Sequence, residues 1–252
     1  MQLLLLSNCT TPGLGYLEHA LPEVLAFLHG VTEVTFVPFA GADLDDYTAM
    51  VRATLEPHGI AVRGLHETAD PVAAVASAQA LFVGGGNTFR LLAALQRLGL
   101  IPVIRARVQD DLPYLGSSAG ATITAPSIRT TNDMPIVQPE SFDALGLVPF
   151  QINPYYVDTD PARAHSEARE TRLTEFLDEN DVPVLGLREG SHLSITSTLA
   201  CALAVVGGGS AALPAPAVVF ERGRAPRNVT GDVTSLLAWR PRYDRPLADA
   251  VS

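Results

Sequence analysis

Gly116-Ser117-Ser118-Ala119-Gly120 sets a serine at the centre of a Gly-x-Ser-x-Gly frame, directly after the strand-like run Leu112–Leu115. A serine on a sharp strand-to-helix turn projects its hydroxyl out of the backbone. The next N–H, that of Ala119, then faces a developing oxyanion. The two glycines let the chain turn tightly and let a neighbouring strand and a substrate come close. The plain alternative is a Gly/Ser turn in a chain that carries 20 glycines. Gly84-Gly85-Gly86-Asn87 follows a second strand-like run. It has neither the spacing of a dinucleotide fingerprint nor a Walker lysine. It reads as a phosphate cradle, as a helix-entry turn, or as the source of a second oxyanion N–H beside that of Ala119.

Other side chains could complete such a site. Glu189 ends a third strand-like run in Gly186-Leu187-Arg188-Glu189-Gly190, where a carboxylate orients a general base, balances an arginine, or simply meets solvent. Arg169 and Arg172 lie one helical turn apart, as a solvated face with Glu167, Glu170 and Glu175 or as a fork for a substrate carboxylate. None of the six histidines (His19, His29, His58, His66, His165, His192) has metal-ligand spacing, so no metal is expected. His192 stands out because it follows Glu189 by three residues.

These residues need a frame to bring them together. Apolar runs at 3–6, 34–38, 60–65, 80–83, 112–115 and 183–187 read as strands, alternating with helical patterns at 16–28, 46–56, 71–78, 88–98, 101–110 and 167–178. Asp70 followed by Pro71 marks a capped helix start. Residues 193–206 and 217–221 read as β-rich, and the tail after about 222 as peripheral to one domain spanning 1–252. Such alternation predicts an α/β fold with a mostly parallel sheet covered on both faces. Ligands of these sheets bind at the carboxyl ends of the strands. The loops 84–87, 116–120 and 188–190 are expected on that one rim.

Composition narrows the function classes. Hydrophobic residues make up 47% of the 252, enough for a sizeable core, and the net charge is −10. That charge argues against nucleic acid or an anionic membrane as partner. An acidic ligand is still accessible through a local arginine pocket. Two distant cysteines, Cys9 and Cys201, read as buried small residues of a reducing compartment. With no signal-like h-region and no run of ~20 apolar residues, a cytoplasmic location is expected.

In order along residues 3 to about 190, the chain carries LLLLSNCTTPG, VPFAG, DDYT, VGGGNTF, GSSAGA, IRTTNDMPIV, FDALGL, QINP and GLREG. In these landmarks it resembles the peptidase E (α-aspartyl dipeptidase) family of serine peptidases, relatives of cyanophycinase. The resemblance implies a three-layer α/β/α fold like that of class I glutamine amidotransferase domains. It also implies hydrolysis of dipeptides with an N-terminal aspartate, without metal or cofactor. By position it makes Ser118 the nucleophile, Gly85 or Gly86 with Ala119 the oxyanion hole, and Glu189 the acidic triad member. Arg169 would meet the substrate's aspartyl carboxylate. Asn87, Thr131, Asn132 and Asp133 would line the pocket, with Asp133 pairing the substrate's amino group.

One departure matters. The family's catalytic histidine follows Asn-Pro; here the chain reads Asn153-Pro154-Tyr155-Tyr156. A phenol titrating near ~10 is a poor base at neutral pH. Either His192 supplies the imidazole, since triads are defined by geometry, or Tyr155 takes a modified role with Glu189, or the site binds a small acidic ligand without efficient turnover. His165 has no positional support. Other aspartyl or isoaspartyl peptides are alternative substrates, and a homodimer is left open.

Overall fold

The computed structural model describes residues 1–157, 169–196, 198, 200–205 and 215–244. Five parallel strands form the centre: β1 (Gln2–Leu6), β2 (Glu33–Val37), β3 (Ala61–Gly64), β4 (Leu81–Val83) and β5 (Pro113–Ser117), in the order β3-β2-β4-β5-β1. A second four-stranded sheet contains β6 (Gln151–Tyr156) and β7 (Val184–Arg188), which pair in parallel. The central sheet continues beyond β1 with antiparallel β8 (Ser191–Ile195) and β9 (Cys201–Val205). Antiparallel β10 (Ala217–Phe220) and β11 (Arg227–Val229) complete the second sheet, and β12 (Gly231–Asp232) edges the central one. The helices are α1 (Leu21–Phe27), α2 (Leu44–Leu55), α3 (Pro71–Ala76), α4 (Thr88–Arg97), α5 (Leu100–Gln109), α6 (Ala119–Thr122) and α7 (Arg169–Glu179).

Period-two alternation assigns the faces. Leu4, Leu6, Phe36, Phe82 and Leu115 pack with Leu17, Val24, Val51 and Leu55, so α1 and α2 cover one side. Leu3, Leu5, Val83 and Tyr114 point the other way, against Leu91, Leu95 and Ile104 of α4 and α5 and against Ile152, Leu187 and Val219 of the second sheet. That covering layer is therefore part helix and part sheet. Leu173 and Leu177 of α7 pack on the outer face of the second sheet, against Val184 and Phe220.

Capping follows the sequence signals. Asp70 Oδ1 accepts from the Ala73 N–H at 2.9 Å, and Asp43 and Asn87 cap α2 and α4 in the same way. The helix expected over 16–28 is shorter. It begins at Leu21 with Pro22 in the first turn, preceded by a 3-10 turn at Glu18–Ala20 and a left-handed Leu17. Proline has no N–H to give to a helix interior, so it takes the first turn instead. Strand β6 has no counterpart among the sequence-based expectations. The tail after residue 222 supplies edge strands to both sheets.

The chain contains no lysine; all 17 basic side chains are arginines. Several are paired on the surface, among them Arg52 with Glu67, Arg63 with Glu33 and Arg129 with Asp244. No helix among the described residues is long and apolar enough to cross a membrane.

Candidate active site

Strand β5 enters α6 through Ser118, whose backbone sits at φ 52°, ψ −110°. Such a conformation costs about 1–3 kcal/mol and persists only where its surroundings over-determine it. Here they do. The Ser118 N–H donates to the Leu6 carbonyl at 3.0 Å, fastening the turn to β1. A Cβ at Gly120 would stand 2.0 Å from the Val83 carbonyl oxygen, and one at Gly116 would stand 2.5 Å from the Gly120 carbonyl oxygen. Both glycines of the frame are thus close-approach positions. The Tyr114 hydroxyl donates to the Gly120 carbonyl at 2.7 Å and closes the turn from below.

The Gly84–Gly86 loop lies alongside. A Cβ at Gly85 would be 3.1 Å from Ser118 Cβ, which places that peptide beside the serine. Gly86 has φ 133° and no room for a side chain against the Ala40 carbonyl. Among the described residues the N–H groups of Gly85, Gly86 and Ala119 have no backbone acceptor. The Gly85 N–H faces the Tyr47 hydroxyl.

Ser118 opens into a cleft of about 300 Å³ that also includes Ala119, Thr131, Asn132, Asp133, Tyr155 and Arg169. The structure brings these expected residues together. Thr88, Thr122 and Pro154 also line the cleft and lie outside the sequence-based expectations. Thr122 sits four residues after Ser118, on the next helical turn, and that spacing is the signal that points to it. Asp133 Oδ2 accepts from the Thr88 N–H at 2.7 Å, the Thr88 hydroxyl at 2.6 Å and the Thr131 hydroxyl at 3.2 Å, so the carboxylate is tied to the start of α4. Asn87 is not in the lining. It caps α4 and donates to the Met134 carbonyl at 2.9 Å, holding the 131–134 segment to that helix.

Arg169 is half-buried, and its Nη1 is buried with no hydrogen-bond partner. Burial, and then the like charge of Arg172, pull its pKa below the usual guanidinium value. A half-buried guanidinium with one nitrogen left without a hydrogen-bond partner is a receptor for a carboxylate. Glu189 lies in the β7–β8 turn, exposed, and its charge is felt at both Arg169 and Tyr155. The turn is fixed because Asn8 Oδ1 accepts from the Gly190 N–H at 2.7 Å.

Tyr155 reaches the cleft through an irregularity in the β6–β7 pairing between Asn153 and Tyr156, and takes φ 53°. Its N–H donates to Ser7 Oγ at 2.9 Å. Burial, then the nearby Cys9 thiol, raise the phenol above its ordinary value. Burial also raises Cys9 itself, against opposing hydrogen bonds led by Ser117. Neither group is a ready anion near neutrality. Ser118 Oγ makes no hydrogen bond among the described residues.

His192, a candidate proton acceptor on sequence grounds, lies elsewhere. It pairs with Leu6 across the β1–β8 ladder and so shares that residue's face, the side covered by α1. Leu193 and Ile195 take the opposite face, packing in the core with Leu3 and Leu5. Burial depresses the imidazole, against the opposing charge of Glu23 on α1. The parity of the apolar residues along β8 carries this information. His165 and Glu167 lie outside the described residues. Among the described residues no group of three or more His, Cys, Asp or Glu is placed to hold a metal ion.

The sequence profile of peptidase family S51 matches residues 3–201. Peptidase E of Streptomyces coelicolor is 55% identical over 247 residues, covering 97% of this chain and 98% of its own length. Peptidase E of Citrobacter koseri is 50% identical over 199 residues, covering 78% of this chain and 87% of its own. A crystal structure of a candidate peptidase E from Listeria monocytogenes EGD-e superposes with a TM-score of 0.63 at 25% identity, over 81% of this chain and 98% of that one. A peptidase from an acI-B1 actinobacterium shares the fold, with a TM-score of 0.61 at 16% identity over 91% and 93% of the two chains.

Proposed function

This chain belongs to peptidase family S51, and on that premise we propose that it is a serine exopeptidase for dipeptides with an N-terminal aspartate, working through an acyl-enzyme on Ser118. The observation that carries this reading is the strained Ser118 turn opening into a cleft that also holds an arginine with a buried, unpartnered nitrogen. Arg169 takes the aspartyl side chain, and Asp133 takes the substrate's amino group. Ser118 Oγ attacks the peptide carbonyl. The Ala119 N–H, with one from the Gly85–Gly86 pair, receives the oxyanion. The proton of Ser118 passes to the leaving amine through the Tyr155 hydroxyl, which accepts from the serine as it donates to the nitrogen, with the charge of Glu189 close by. Water then releases aspartate from the ester. The small volume of the cleft supports a dipeptide over a long chain.

A second reading, a binding protein for a small acidic ligand with weak turnover, is favoured by the raised phenol where an imidazole is expected. Release of leucine from Asp-Leu by pure protein, compared with Ser118→Ala, decides between them. Turnover abolished in the folded variant supports the peptidase. Turnover retained in the variant refutes a serine mechanism. Stoichiometric binding without turnover by the wild type selects the second reading. Isoaspartyl peptides in the same panel test the alternative linkage.

A further inference from the structure

Among the described residues, the side chains of Arg90, Arg97, Arg169 and Arg240 have neither a hydrogen bond nor an ion pair. Arg169 faces the cleft. Arg90 and Arg97 share a separate groove of about 440 Å³ between α4 and the segment 137–140. The two sets of lining residues do not overlap, so the groove stands apart from the proposed reaction. Two unpaired guanidiniums in one depression are unusual in a chain of net charge −10, where carboxylates outnumber them.

The groove's shape comes from its residues. Ala93 and Ala94 leave the helix surface low between the two arginines, and Val137 and Pro139 form an apolar wall opposite. The outer chain is held in place, because the Glu140 N–H donates to Gln96 Oε1 at 2.8 Å. Arg90 and Arg97 stand seven residues apart, so their Cα atoms are separated by ~10 Å along the helix axis. A peptide in the polyproline II conformation has three residues per turn and rises ~3.1 Å per residue, so side chains three residues apart share one face and stand ~9 Å apart, close to that span. Guanidiniums fork onto carboxylates. We propose that this groove binds an acidic peptide in the polyproline II conformation, through two carboxylates carried three residues apart, with small apolar residues between them on Val137 and Pro139. Glu140, the one carboxylate of the lining, opposes that ligand and limits its affinity.

The test titrates the whole protein calorimetrically with acetyl-Glu-Ala-Val-Glu-amide, whose blocked amine keeps it from the exopeptidase reaction. Acetyl-Gln-Ala-Val-Gln-amide is the control. Saturable binding of the acidic probe alone is expected, weakened about tenfold or more in Arg90→Gln/Arg97→Gln. Glu140→Gln should bind more tightly, and Arg169→Gln should bind as wild type does. Asp-Leu turnover by the double variant should stay at the wild-type level, which also shows that it is folded. Equal binding of both probes, no saturable binding up to about 10 mM, or binding lost in Arg169→Gln but kept in the double variant would each overturn the proposal.

Discussion

Tyr155→His is the sharpest probe of the proposed mechanism. The phenol at this position is raised above its usual value by burial, so fewer than ~1 in 1,000 molecules carry the phenolate at pH 7. An imidazole in the same place also feels burial, which lowers it from ~6.5, so at pH 7 about three-quarters or more of it is the free base. The available base therefore rises by ~10³ or more, while its lower intrinsic basicity returns part of that gain. Positioned general bases contribute 10²–10⁴-fold, and we expect kcat for Asp-Leu to rise by ~10²–10³. The backbone accommodates the change. Residue 155 sits at φ 53°, a region where histidine is enriched among non-glycine residues, and its N–H bond to Ser7 Oγ does not depend on the side chain. The assay is steady-state leucine release across pH, in which the variant gains an inflection at or below ~6.5. An unchanged kcat in a variant with wild-type circular dichroism and melting would refute the reasoning. So would a gain that survives in Tyr155→His/Ser118→Ala.

Arg169→Gln should lower kcat/KM for Asp-Leu by ~10–100-fold, the worth of one charge-assisted contact, with a smaller loss for Asn-Leu. Equal losses for both substrates would remove Arg169 from carboxylate recognition. Gly120→Ala forces a Cβ onto the Val83 carbonyl and should destabilise by about 3 kcal/mol or more, read from urea unfolding. His19 and His192 are both held below their ordinary value by burial. The unfolded chain binds more protons there, so stability is complete above ~6.5 and falls as pH drops from that value toward the folded pKa values. Urea midpoints between pH 7.5 and 5 test this, with His192→Gln expected to flatten the slope.

Local features of the fold are legible in the sequence because their causes are local. Asp70-Pro71 announces a helix start, Gly116–Gly120 announces the turn at Ser118, and both are where the sequence pattern puts them. The second sheet is not legible. Val184–Leu187 reads as a strand just as Leu3–Leu6 does, and an apolar run does not say which sheet it joins. That choice is made by pairing with Gln151–Tyr156, a strand broken by Pro154 and an irregular register. In the site, Ser118, Arg169 and Asp133 converge as motif positions imply. His192 does not join them, because nearness in sequence to Glu189 says nothing about which face of β8 a side chain takes.

The absence of lysine bears on how far this protein can be pushed into alkali. Ammonium side chains discharge near ~10.4, whereas guanidinium holds its proton beyond ~12. Surface pairs such as Arg52–Glu67, Arg63–Glu33 and Arg129–Asp244 therefore keep both charges through pH 10 and above. Rate profiles can be followed to the pH at which a buried tyrosine ionises without the shell of the molecule discharging first.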